Sequence, residues 1–207
     1  MEHVMSLYHA GGVTLVAILA MSVIALGIGI ERGVAFRSFR LRMEQAADRI
    51  SEALAKGEIT KAQAINTTSP IHPATEVFEA VLTTEPMSVG RIRRLERSIT
   101  RRARAGVWVI GTIAATAPFV GLFGTVRGVM EAFGQIGAQG GGGFEVVSGG
   151  ISEALITTAG GILVGIEAMF LFNYLQARGA IVISEMRDTV EELKEAMEAR
   201  RGPDHAD

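Results

Sequence analysis

Two threonines and a glutamate lie within strongly apolar stretches of this sequence, where polar side chains are costly. Thr125 belongs to "TAPFVGLFGTVRG" (residues 116–128), and Glu153 and Thr158 belong to "GGISEALITTAGGI" (residues 149–162). A hydroxyl both donates and accepts a hydrogen bond, so paired threonines could hold water or relay a proton without a buried charge. Ionisable groups at membrane depth usually face a cavity or a partner. The pattern predicts a path for ions through the membrane. The alternative is that the hydroxyl of each threonine bonds only the backbone of its own helix.

Such chemistry requires helices that cross a bilayer, and three stretches are long enough. The hydrocarbon core needs roughly 20 apolar helical residues. Residues 3–30 and 105–126 contain no Asp, Glu, Lys or Arg, and the third stretch, 147–177, is interrupted only by Glu153 and Glu167. The chain has a mean hydropathy of +0.31 yet is 20% charged. These values predict a membrane protein with a substantial aqueous part.

The distribution of basic residues predicts the orientation of the spans, because Lys and Arg are retained on the cytoplasmic side. Residues 31–104 hold 14 of the 20 Lys and Arg, and the chain from Arg178 adds five. We therefore expect three spans with the N-terminus outside and the C-terminus inside. No Lys or Arg precedes the first apolar stretch, which favours a retained span over a signal peptide. The predicted segments are an outer N-terminus with span one (1–30), a cytoplasmic helical insert (31–104), span two (105–134), a short outer glycine-rich loop (135–148), span three (149–177) and a cytoplasmic amphipathic helix with a tail (178–207).

Several classes of protein are disfavoured by what the sequence lacks. The chain has no cysteine, which rules out disulfides and thiol chemistry, and a net charge of −2 gives no indication of nucleic-acid binding. All four histidines lie outside the spans, so an intramembrane Ser-His protease would have no base. The glycine-rich segment around Thr125 lacks the Gly-Lys-Ser/Thr of a phosphate loop. We expect neither an enzyme nor a cofactor or metal site.

Small residues recur at helical spacing in spans two and three. Positions three and four apart share one face of a helix, and small residues on that face let membrane helices approach closely. The stripe in span two contains Pro118, Gly121, Gly124, Thr125 and Gly128; that in span three contains Gly150, Ala154, Thr157, Thr158, Gly161, Gly165 and Ala168. The stripes predict packing of the two spans against each other, against further copies or against a partner. Thr125 and Thr158 each lie about 13 Å from the outer end of their span, at matched depth.

For the charged residues of the spans, the sequence predicts locations and ion pairs but no defined chemistry. Glu153 lies one turn from Thr157, and we expect it to face the same interior, with the headgroup region as the alternative. Arg127 and Glu131 are four residues apart and are expected to form a structural ion pair. Glu167 should reach the inner interface, where it either extends to water or pairs with Arg178 or a partner.

The C-terminal segment carries a coiled-coil-like pattern. Apolar residues spaced three and four apart predict a helix packed against the insert or against a neighbouring subunit. This apolar seam consists of Ile183, Met186, Val190, Leu193 and Met197. The insert begins with a predicted helix that continues span one and stops at Gly57.

Two ordered strings, "IAATAPFVGLFGTVRGVMEAF" and "GGISEALITTAGGILVGIEAMFLFNYL", resemble the ExbB/TolQ/MotA proton-channel family and are most similar to its ExbB and TolQ branch. The resemblance covers about 50 residues and the three-span plan. It implies a bacterial inner-membrane protein without cofactor that forms a homopentamer around a dimer of single-span ExbD- or TolR-like partners. The partner's membrane aspartate would carry protons, and a TonB-like protein would transmit the work to the outer membrane.

The resemblance also implies roles for individual positions. Thr125 and Thr158 would line the ion pathway, Glu153 would be the membrane glutamate, and Pro118 would distort the helix of span two. In one respect the chain departs from the family, since Glu167 stands where ExbB and TolQ proteins usually have proline. The expected function is energising TonB-dependent transport. The alternatives are a TolQ-type or gliding-motility stator and a non-conducting scaffold for a single-span partner.

Overall fold

The computed structural model describes residues 2–58, 73–83, 89–139 and 144–201, and these residues form helices and no strand. The helices are α1 (Glu2–Ala55), α2 (Pro73–Thr83), α3 (Val89–Arg104), α4 (Val107–Gln139) and α5 (Phe144–Arg201). Three helical segments, Gly12–Ala55, Gly90–Gln135 and Ser148–Ala199, are long and apolar enough to cross a membrane. The predicted all-α membrane fold with three spans is confirmed.

Two glycines define the breaks of α1. Gly12 has φ 58° and ψ −159°, a backbone conformation that costs glycine little and other residues much, and it interrupts the helix near its start. Gly57, with φ 83°, follows the last turn. Its amide donates to Leu54 O at 3.0 Å and the amide of Glu58 donates to Ala53 O at 2.9 Å, so the final carbonyls are capped. The predicted stop at Gly57 is confirmed, whereas the break at Gly12 was not foreseen.

A third glycine separates α3 from α4. The sequence predicts that the basic helix leads directly into span two, but Gly106 adopts φ 80° between Arg104 and Val107. The amide of Ala105 donates to Arg102 O at 3.2 Å, which closes the end of α3 with a tightened turn. One helix is therefore replaced by two that meet at a glycine.

The helices also continue beyond the predicted ends of spans two and three. α4 runs to Gln139 and α5 begins at Phe144, so helical backbone occupies most of the segment 135–148 that was expected to be a loop. Residues 140–143 and the predicted tail residues 202–207 lie outside the described part of the chain.

The chain divides into two compact units. The membrane unit comprises Met1–Glu31 and Gly106–Leu175 and contains the three apolar spans; the second unit comprises Arg32–Ala105 and Gln176–Asp207. Each unit combines two segments that are distant in sequence. The candidate site residues from Pro118 to Glu167 all belong to the membrane unit.

The core of the second unit contains most of the predicted apolar seam. All five seam residues are buried, and four of them join one cluster with residues of α1, α2 and α3, including Ile50, Phe78 and Ile92. At the surface of this unit, Arg40 lies 2.9 Å from Glu44 and 3.3 Å from Glu185. The seam thus packs against the insert, which was one of the two predictions; the other was packing against a neighbouring subunit.

The membrane unit leaves most of its apolar surface uncovered within one protomer. Within an 18-residue apolar stretch of each span, only 28%, 33% and 28% of the residues are buried. Large apolar side chains such as Trp108, Phe119 and Phe170 are 68%, 70% and 74% exposed. Such a surface requires lipid or further subunits to cover it.

Candidate functional site

The site is built on a close contact between α4 and α5 at the predicted small-residue stripes. A Cβ added at Gly161 would lie 2.6 Å from Ala117 O and 2.8 Å from the Cα of Gly121. A Cβ added at Gly121 would lie 2.9 Å from Thr157 O. These distances leave room for hydrogen only, so the backbones of the two helices touch. Of the three packing alternatives, contact between spans two and three is the one that occurs within the protomer.

The same contact extends toward both ends of the helices. A Cβ at Gly165 would meet the Pro118 ring at 2.8 Å, and one at Gly128 would meet the Cβ of Ala154 at 2.7 Å. Gly124 is likewise closed, since a Cβ there would lie 2.9 Å from Thr14 Cγ2. All five glycines named for helix packing therefore lie in tight contacts.

The two site threonines meet at the centre of this contact. Thr158 Oγ1 lies 3.0 Å from Gly121 O and 3.2 Å from Thr125 Oγ1, so its single proton can be donated to either acceptor. The hydroxyl of Thr125 donates to Leu122 O at 2.7 Å. The sequence alone left open whether each threonine bonds its own helix. Thr125 does so, whereas Thr158 bonds across to α4.

This arrangement is a short hydrogen-bond chain between two membrane helices. Each hydroxyl carries one proton, so Thr158 can donate to Thr125 while Thr125 donates to the backbone of Leu122. Rotation of the hydroxyls would reverse the direction, because each oxygen also accepts. The pair can therefore exchange a proton or hold a water molecule at a site that carries no formal charge.

Pro118 lies within α4, and the helix continues through it. Proline has no amide hydrogen, so the carbonyl of Ala114, four residues earlier, loses its helical donor. Ala114 O is 3.3 Å from the position of a Cβ at Gly165. The carbonyl that proline leaves without its helical bond therefore faces the glycine of α5. The bend of the helix at Pro118 stays a prediction.

Glu153 lies with Arg127 and Glu131 rather than with the threonine pair. Arg127 Nε donates to Glu131 Oε1 at 2.7 Å, which confirms the predicted ion pair. All three side chains line one cavity of about 330 Å³ that also reaches Thr157. Neither Thr125 nor Thr158 is among the residues that line it. The side chain of Glu153 is exposed in the protomer, so its predicted interior location, with the headgroup region as the alternative, stays a prediction.

Glu167 accepts a hydrogen bond from the hydroxyl of Ser22 on α1, with 2.9 Å between Oγ and Oε2. It lies nine residues after Thr158, which is half a turn around a helix, so the two side chains point to opposite faces of α5. The carboxylate therefore contacts α1 while the threonine contacts α4. The expected pairing of Glu167 with Arg178 or a partner stays a prediction.

Two polar residues of α1 make contacts that were not predicted from the sequence. Thr14 is buried and lines the cavity with Glu153, and Ser22 binds Glu167. They are the hydroxyl residues of the apolar stretch 11–30. A lone polar residue in such a stretch usually faces another helix, and this signal could have identified both.

Comparison with known proteins places this geometry in a family. The model of the MotA/TolQ/ExbB proton channel family matches residues 71–188, which is more than half of the chain. The biopolymer transport protein ExbB of Xanthomonas campestris pv. campestris (strain B100) is 42% identical over 96 residues, covering 45% of this chain and 38% of the relative. ExbB of Neisseria gonorrhoeae is 38% identical over 117 residues, 56% of this chain and 52% of the relative.

A third relative, the putative biopolymer transport protein ExbB-like 1 of Helicobacter pylori (strain J99 / ATCC 700824), is 41% identical over 83 residues, covering 40% of this chain and 44% of the relative. The chain thus spans about two fifths to half of the length of these relatives. The family match includes every candidate ion-pathway residue from Thr125 to Thr158. This chain is a multi-pass membrane protein that belongs to the MotA/TolQ/ExbB proton channel family.

Proposed function

We propose that the chain is a subunit of a bacterial inner-membrane proton channel that couples the proton-motive force to mechanical work on the outer membrane. The family match and the ExbB names of the relatives support this function over a passive anchor. The similarity to ExbB proteins favours energising of TonB-dependent transport over a TolQ-type or gliding-motility role.

The observation that carries the proposal is the hydroxyl pair of Thr125 and Thr158 between α4 and α5. Both threonines are half-buried and hydrogen-bonded in the protomer, so a partner group or water can reach the pair. The glycines around it hold the two helices at backbone contact, which fixes the geometry of the pair. A pathway for protons needs such a fixed chain of groups that both donate and accept.

The spans supply no aspartate to this pathway. The acidic residues whose side chains are described in the three spans are Glu131, Glu153 and Glu167, and none of them contacts the threonine pair through a described hydrogen bond. The titrating carboxylate would then come from a partner, which we propose to be an ExbD-like single-span protein with a membrane aspartate. A homopentamer around that partner would bring one threonine pair per protomer to the shared axis, and a TonB-like protein would receive the motion.

The uncovered apolar surface of the membrane unit supports an assembly in the bilayer. Phe119, Phe123 and Phe170 are each more than 60% exposed. Exposed aromatic side chains of this size suit both lipid and the flank of a neighbouring protomer. The lipid bilayer is thus a partner of the chain alongside further copies.

The experiment compares Thr158→Val, which removes the hydroxyl at nearly constant volume, with Thr158→Ser, which keeps it. Both are expressed with the partner and measured for proton flux in membrane vesicles. We expect the valine variant to lose roughly tenfold or more of the flux, as for removal of a proton-transfer group, and the serine variant to retain most of it.

The matched control is Thr116→Val on α4. Thr116 is exposed, and its hydroxyl bonds only its own helix through Thr112 O at 2.8 Å. This variant should conduct like the unmodified protein. Unchanged flux in Thr158→Val, with assembly intact, would refute the pathway and favour the non-conducting scaffold.

A further inference from the structure

The cavity that Glu153 lines is a second polar feature of the membrane unit, separate from the threonine pair. It has a volume of about 330 Å³ and is bordered by α1, α4 and α5. A water molecule occupies about 30 Å³ in the liquid, so the space is large enough for several. Gly149 and Gln135, near the ends of α5 and α4, are among the residues that line it.

Buried polar side chains point to water in this cavity. Among the residues whose side chains are described, the buried polar ones are Thr14 and Thr157, at 8% and 2% exposure, and both line it. The hydroxyl of Thr157 donates to Ala154 O at 2.7 Å, which leaves its acceptor positions available. Water in a polar cavity of this size can donate to such hydroxyl oxygens.

Two glycines are among the residues that line this space. Gly12 lines the cavity at the point where its positive φ interrupts α1. Gly124 lines it from α4, and a Cβ there would lie 2.9 Å from Thr14 Cγ2. A larger side chain at Gly124 would therefore displace Thr14 and reduce the volume.

The charges that line the cavity favour cations. Arg127 and Glu131 neutralise each other at 2.7 Å, and Glu153 adds one further negative charge. The side chains described on α1 at this cavity carry no charge. The lining therefore has a net charge of −1, and an excess of carboxylates in a cleft attracts cations and repels anions.

We propose that this cavity is a hydrated vestibule within each protomer that admits small cations, hydronium among them, from the outer aqueous phase toward the membrane unit. The inference deepens the proposed function, since it names an access route for the ions of the channel. Its role in transport rests on that function, whereas the presence of water and the preference for cations do not.

The absence of cysteine from the sequence makes a labelling experiment direct. Thr14→Cys and Thr157→Cys are made separately in the full chain, expressed with its partner, and exposed in right-side-out vesicles to two membrane-impermeant methanethiosulfonates. One reagent carries a quaternary ammonium and the other a sulfonate. We expect both cysteines to react, and the cationic reagent to react about tenfold faster than the anionic one.

Ala25→Cys is the matched control on α1. Ala25 is 0% exposed and does not line the cavity, so its cysteine should react only after denaturation. If the cysteines at positions 14 and 157 react no faster than the one at position 25, the vestibule does not exist. Equal rates for the two reagents would overturn the preference for cations, and labelling from the cytoplasmic face alone would overturn the outer access.

Glu153→Gln tests the source of the preference. In the Thr14→Cys background it should reduce the ratio of cationic to anionic rates to about one third or less. An unchanged ratio would contradict the role given to Glu153. The labelling does not require proton flux, so it can succeed even if Thr158→Val shows that the threonine pair is not a pathway.

Discussion

Individual polar residues decide which faces of the membrane helices contact one another. Thr158 donates a hydrogen bond to α4. On the opposite face of the same helix, α5, Glu167 accepts one from Ser22 of α1. α5 is thus held on two sides by different polar contacts.

The contact between Ser22 and Glu167 should contribute measurably to stability. Hydrogen bonds between membrane helices are worth about 0.6 kcal/mol on average and up to roughly 1.7 kcal/mol. Ser22→Ala should lower the free energy of unfolding in detergent by such an amount, and the loss should vanish in a Glu167→Leu background. Ser38→Ala, which removes a hydroxyl bonded to its own helix at Ala35 O, is the control. Equal losses in both backgrounds would show that the two residues are not coupled.

At the scale of elements, the close packing of α4 on α5 depends on glycines rather than on apolar volume. Their spacing made the contact predictable from sequence, because residues three and four apart share a helix face. The contacts of α1 were not predictable in the same way, since its span is apolar on every face. Polar residues as sparse as Thr14 and Ser22 gave the only directional signal.

Adjacent glycines of α5 provide a sharp test of this packing. A Cβ at Gly161 would lie 2.6 Å from Ala117 O, whereas one at Gly160 would meet Leu15 and Ile18 at 3.5 and 3.9 Å. Gly161→Ala should therefore destabilise the protein by about 1–3 kcal/mol through overpacking. Gly160→Ala should be neutral or stabilise by up to about 1 kcal/mol through helix propensity. Thermal unfolding in detergent compares the two, and similar effects would contradict backbone contact at Gly161.

The apolar seam of the second unit should respond differently. Leu193 is 1% exposed in the cluster with α1, α2 and α3, so Leu193→Ala should cost about 2–5 kcal/mol. Glu192→Ala, at the exposed neighbouring position, should change stability by less than about 0.5 kcal/mol. Chemical denaturation of the detergent-solubilised protein measures both. A small effect of Leu193→Ala would indicate that the seam serves another subunit instead.

At the scale of the whole molecule, the sequence predicted the helical class and the three spans, and it gave the packing of the two threonine-bearing stripes on each other as one of three alternatives. It missed the helix breaks at Gly12 and Gly106, since a glycine in a helical pattern either packs or breaks the helix and its backbone angles depend on the fold. It also missed the cavity, which arises only when α1 packs beside α4 and α5. The same uncovered apolar surface that marks the chain as a membrane protein leaves room for the partners proposed for it.

The central claim is proton conduction by this chain in complex with a single-span partner. The most direct measurement is proton flux into liposomes that contain the complete complex, driven by a potassium diffusion potential and followed with a pH-sensitive dye. The account predicts flux above that of empty liposomes, and its loss both in Thr158→Val and when the partner's membrane aspartate is replaced by asparagine. Flux equal to that of empty liposomes from a correctly assembled complex would contradict it.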